Sequence, residues 1–161
     1  MQLSHALKTL SLVTLIATGL ALPQIGFAAT ESELLAKLQS GARKEKSDAC
    51  RELAYLGTKA AVPALVALLP DAEMNHMARV ALEAIPDPAV DAAFRDALNQ
   101  LKGRQLVGVI GSIGVRRDAA AIPALANFLK DADADVAQGA ARALGKIGTL
   151  AAAQAIEAAL P

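Results

Sequence analysis

The sequence predicts an all-α chain, an α-solenoid in which antiparallel helix pairs stack side by side. Three observations predict it. The stretch AVPALVALLPD (61–71) returns sixty positions later as AIPALANFLKD (121–131). A shorter ladder, two apolar residues three apart followed by Gly or Pro, occurs four times: Leu53–Gly57, Leu82–Pro86, Ile110–Gly114 and Leu144–Gly148. The chain is 54% hydrophobic but has only three Phe, one Tyr and no Trp, so Ala and Leu carry the burial, which favours helix over strand.

The 161 residues give room for one domain behind a leader. Residues 1–28 carry a short basic start, the apolar run LSLVTLIATGLAL (10–22), Pro23 and a small-residue stretch, the order of a secretory signal peptide cleaved after Ala28. That run falls short of the roughly 20 residues that span a bilayer. The expected product is residues 29–161, exported to a periplasm or the medium and without a stable membrane span. Sixteen Lys and Arg balance sixteen Asp and Glu, so no strong field draws nucleic acid. Cys50 is the only cysteine; with no internal disulfide to form, it is expected to pack as a small buried hydrophobe.

Taken in order, the elements are about four helix pairs (31–57, 58–85, 86–114 and 115–147) and a C-terminal half repeat (149–160). The first helix, ESELLAKLQS, has Glu31, Glu33, Lys37 and Gln39 to cover its open side. In the second pair, Val62, Leu65, Leu68 and Leu69 form one helical stripe. Met74, Met77, Ala78, Ala81, Leu82 and Ile85 form the next, on a helix starting near Asp71. Asp71 and Asp131 suit N-caps, Gly57, Gly114 and Gly148 suit left-handed closing residues, and Thr58, Asp118 and Thr149 suit the start of the following helix. Pro63 and Pro123 sit slightly beyond a first turn, which predicts a short bent lead-in before each straight helix. The third unit keeps the rule only if three residues are inserted after Gly114. Its glycines, GVIGSIG (108–114), predict close helix packing and a pliable unit. The last helix, LAAAQAIEAALP, leaves Leu150, Ile156 and Leu160 with little polar cover. A terminal repeat normally presents a polar face, so this end is expected to self-associate or meet a partner.

No catalytic, cofactor or metal constellation emerges. His76 stands alone among the residues after the leader, and with Cys50 cannot fill a zinc shell. DADAD (131–135) lacks the Gly and Glu of a calcium loop and suits helix capping instead. Lys102, Arg104, Arg116 and Arg117 read as solvated charge beside the third unit.

AVPALVALL, AIPALANFL, ARVAL (78–82) and ARALGKIG (141–148) resemble HEAT repeats, most closely the short, Ala-rich variety also seen in phycobilin lyases. Pro86, where a Gly is commoner, and the glycine-rich third unit depart from the pattern. The resemblance implies a right-handed superhelix and a non-catalytic scaffold for a protein partner. Second helices usually line the concave side of such arrays, which makes Arg51, Glu52, Arg79, Glu83, Arg142 and Lys146 the contact candidates. The alternatives are a bilin-lyase-like chromophore-handling enzyme or chaperone, and a segment of a larger repeat assembly.

Overall fold

The computed structural model describes residues 29–160; the expected signal peptide lies outside them. Among the described residues the regular structure is all helical. The α-helices are Glu31–Ser40 (α1), Arg43–Leu56 (α2), Val62–Val66 (α3), Asn75–Ala84 (α4), Pro88–Ala97 (α5), Gly103–Arg116 (α6), Ile122–Phe128 (α7), Ala134–Ile147 (α8) and Leu150–Glu157 (α9). Each odd-numbered helix packs against the even-numbered one that follows, and α2, α4, α6 and α8 pack in succession to form a continuous second-helix layer. Four pairs and a half repeat therefore form an α-solenoid, as the ladder predicts.

Local chemistry explains where helices begin. Thr30 and Glu33 form a reciprocal capping box at α1, and the Thr30 backbone N–H holds the Glu33 carboxyl below its ordinary value. Thr58, Asp118 and Thr149 accept from Ala60, Ala120 and Ala152 N–H groups, as expected of starting residues. Pro63 and Pro123 lie at the beginning of α3 and α7, each preceded by a 3-10 turn (Lys59–Ala61 and Ala119–Ala121) that supplies the bent lead-in.

Other expected caps are corrected. Asp71 accepts from Glu73 and Met74 N–H at 2.8 and 3.1 Å, holding a turn before α4 rather than its first residue. Asp131 likewise accepts from Asp133 N–H at 2.8 Å, while Asp133 is the cap of α8, accepting from Asp135 at 2.9 Å. Of the three expected left-handed glycines only Gly148 is one, at φ 68°. Gly57 is extended, and Gly114 lies inside α6.

The third unit needs no insertion. Helix α6 runs past Gly114 to Arg116 and is closed by Arg117 in the left-handed region, at φ 55°. The starting residues Thr58, Asp87, Asp118 and Thr149 are then spaced 29, 31 and 31 residues apart. The buried equivalents one turn from each second-helix end are Leu53, Leu82, Ile113 and Leu144, all fully enclosed. Burying each such side chain contributes about 1.5–3 kcal/mol.

Small residues set the closeness of the layer. A Cβ at Gly114 would stand 2.8 Å from the Ala143 Cα, so α6 and α8 touch backbone to backbone there. Against the expected pliability of the third unit stand its polar links. Arg116 is in an ion pair with Asp91 and donates to the carbonyls of Glu83, Ile85 and Asp87 at 3.1, 2.8 and 3.3 Å. Pro86 and Pro88 have no N–H to give where α4 ends, and the Arg116 guanidinium supplies donors instead.

Candidate functional site

The register just described decides which second-helix residues face solvent. Helical rotation puts the residues two before and two after each buried anchor on the side turned away from the first helices. Two before are Arg51, Val80, Gly111 and Arg142; two after are Tyr55, Ala84, Val115 and Lys146. All are exposed except the half-buried Gly111.

Three of the six sequence candidates, Arg51, Arg142 and Lys146, lie on this outward side. Arg51 is in an ion pair with Asp48, which Lys44 also contacts at 2.9 Å. Hydrogen bonding from Lys44 lowers the Asp48 pKa first, with the Arg51 charge adding to it. Arg142 and Lys146 have no carboxylate within ion-pair distance among the described residues. Glu52 occupies the edge that in later second helices meets the preceding one. Its equivalents Ala81 and Ala143 are buried, whereas Glu52 is exposed.

Arg79 and Glu83 are placed differently. Both turn into the junction between α4 and α6, with side chains 17% and 22% exposed. Arg79 donates to Asn75 Oδ1 at 2.9 Å and to Ser112 Oγ at 3.1 Å, and Ser112 donates to Glu83 Oε1 at 2.6 Å. Asn75 in turn donates to the Leu69 carbonyl at 2.6 Å. Burial pushes the Arg79 pKa below its ordinary value and the Glu83 carboxylate pulls it partly back. No buried side-chain N or O among the described residues lacks a partner, so the network is closed on itself. These two residues hold α4 to α6 and offer little to a ligand.

The basic residues beside the third unit also separate. Arg116 is held by Asp91 and the α4 carbonyls, while Lys102, Arg104 and Arg117 are exposed. His76 is exposed on α4, its Nδ1 3.4 Å from the Arg79 guanidinium. Cys50 is 1% exposed between α2 and the rest of the core, and burial pushes its pKa up to about 11. No group of three or more His, Cys, Asp or Glu is placed to hold a metal among the described residues. A groove of about 530 Å³ is lined by Leu35 and Leu38 of α1, Lys46 of α2, and Pro63, Ala64 and Leu68 in and just after α3.

Sequence reasoning missed Tyr55, Val80, Gly111 and Val115. Tyr55 is 93%, Val115 51% and Val80 39% exposed, and they occur on three successive second helices. Taking only polar residues as contacts passes over Tyr55 and Val80, and anchoring the third unit on Ile110 instead of Ile113 rotates α6 and hides Gly111 and Val115.

The fold and its outward rows define a helical-repeat protein with one continuous four-helix face. Residues 101–161 match a family model described as HEAT repeats, which covers α6 to α9. Over that stretch the stacked pairs are similar to HEAT repeats. No curated protein matches the chain.

Proposed function

We propose that this chain is an exported, non-catalytic scaffold that docks another protein on its second-helix face. The observation that carries the reading is the exposure of Tyr55, Val80 and Val115 on one side of a layer whose other large apolar residues are mostly enclosed. Apolar surface is worth about 25 cal/mol per Å² when removed from water, so a row of it favours a covering partner. HEAT repeats commonly mediate protein–protein contact, which agrees. Export rests on the order of residues 1–28.

The test places a photo-crosslinking amino acid at position 80 or 115, and at exposed Asn99 on the first-helix side, in the cells that make the protein. Adducts to a second protein at 80 and 115 but not at 99 are expected. Adducts at 99 alone, or none anywhere, overturn the docking reading. Recovery of a chain starting at Ala29 outside the cytoplasm checks export.

Self-association through α9 is a second reading. Leu150 and Leu160 are 75% and 65% exposed, on α9 and just beyond it, which favours it.

A further inference from the structure

The outward side of the second-helix layer is chemically uneven. Its first unit presents Arg51 and Tyr55, its second Val80 and Ala84, its third Gly111 and Val115, its fourth Arg142 and Lys146. The two central units carry no charge at these positions. Within them Gly111 presents bare backbone, and a Cβ built there meets open space. Val115 stands one helical turn further along α6, and Val80 holds the place equivalent to Gly111 on the adjoining α4.

The two charged ends differ. At the N-terminal end the Arg51 charge is already answered by Asp48. At the C-terminal end Arg142 and Lys146 are exposed with no ion-pair partner among the described residues. The acids of the same helix, Asp133 and Asp135, sit at its other end, and the Asp133 carboxylate caps the backbone there. Eleven residues of helix place Asp135 about 16 Å from Lys146 along the axis. Cations left open by their own chain beside an uncharged apolar strip select for carboxylates and reject a basic partner.

We propose that this face takes an amphipathic segment of a partner protein. Its aliphatic side chains lie over Val80, Gly111 and Val115, and its carboxylates meet Arg142 and Lys146. The proposal rests on the docking reading above and adds the chemistry of the partner. Packed helix axes lie about 8–10 Å apart, so the acidic groups of the ligand lie about 8–10 Å from those over Gly111 and Val115 and about 16–20 Å from those over Val80. A helical segment covers that in about 12 residues.

The test uses two labelled helical peptides of about 16 residues and the purified protein, read by fluorescence anisotropy. One peptide has Leu and Ile at its centre and a Glu-Glu pair at one end; the other has Lys-Lys in place of Glu-Glu. The acidic peptide is expected to bind saturably and at least about tenfold more tightly than the basic one. The double variant Arg142→Glu, Lys146→Glu reverses that preference. Val115→Lys weakens the acidic peptide about tenfold, with the circular dichroism spectrum unchanged because the site is exposed. Equal affinity for the two peptides, a preference that survives the double variant, or binding of neither overturns the proposal. So does preferred binding to phosphatidylglycerol vesicles, or a self-dimer abolished by Val115→Lys. Crosslinks to a protein at positions 80 and 115 alongside failure of both peptides leave the docking reading standing and remove only this partner chemistry.

Discussion

Arg116 donates to the carbonyl oxygen of Ile85 at 2.8 Å, joining the end of α6 to the end of α4. At the equivalent place the second and fourth second helices bury aliphatic side chains, Ile85 itself and Ile147. The third unit uses a cation there because the α4 end, followed by Pro86 and Pro88, has carbonyls in need of donors. Arg116→Ala leaves these acceptors and the Asp91 carboxylate without their partner, and should destabilise the fold by about 2–4 kcal/mol. Arg116→Lys should recover less than half, since an ammonium cannot reproduce the planar fork. Urea unfolding with an unchanged slope and a lowered midpoint checks both.

The two glycines Gly111 and Gly114 of α6 should respond in opposite directions. At Gly114 a methyl would press on the Ala143 backbone at 2.8 Å. Gly114→Ala should therefore cost about 1–2 kcal/mol even after the gain in helix propensity. Gly111 faces open space within a helix, so Gly111→Ala should stabilise by about 0.5–1 kcal/mol. Thermal midpoints of the two variants should fall on either side of the parent protein.

Cys50 gives a pH prediction with a defined sign. Its pKa is pushed up to about 11 by burial, from 9.0 for a free thiol. The native state thus keeps its proton where the unfolded chain loses it. This contribution to stability is complete below pH 9.0 and falls away as the pH rises toward about 11. The loss is about 3 kcal/mol, and Cys50→Ala should flatten the alkaline limb at the expense of some packing. A thiol reagent at pH 8 should label Cys50 only as fast as the protein opens, and at once in denaturant.

The exposed Leu150 and Leu160 on and beside α9 should be the seat of any self-association. Leu150→Glu and Leu160→Glu remove exposed apolar area without touching the core, where α9 contributes the buried Ala152. Light scattering across a concentration series should show a mass increase for the parent protein and none for the double variant. A parent protein that stays monomeric at the highest concentration removes this reading.

Much of the array was legible in the chain. The repeated AxPAL stretches located α3 and α7, the Thr and Asp positions located their beginnings, and Leu65, Leu125, Leu53 and Leu144 are buried as their spacing requires. The candidate face was legible only in part. Arg51, Arg142 and Lys146 sit where the pattern puts them, because the first and last second helices keep the simple ladder ending in Gly. Arg79 and Glu83 are polar residues of the same helix stripe, yet Ser112 across the junction takes both. Nothing local to residues 79–83 announces a partner 29 residues away.

The sequence by itself determined that these residues form paired helices, how many pairs there are, and which side of most helices is buried. Those outcomes follow from apolar periodicity and capping chemistry, which act over a few neighbouring residues. The tertiary structure alone decided the register of α6. Ile110 with Ile113 and Gly114 fits the ladder, whereas the Ile113 frame puts Arg116 and Arg117 where the other units have an apolar residue and Gly or Pro, so the local pattern favours the wrong anchor. The choice is made by contacts from other helices: Ala143 needs the missing side chain of Gly114, and the end of α4 needs the donors of Arg116. That choice turns Gly111 and Val115 toward solvent beside Val80 and so creates the face on which a partner can lie.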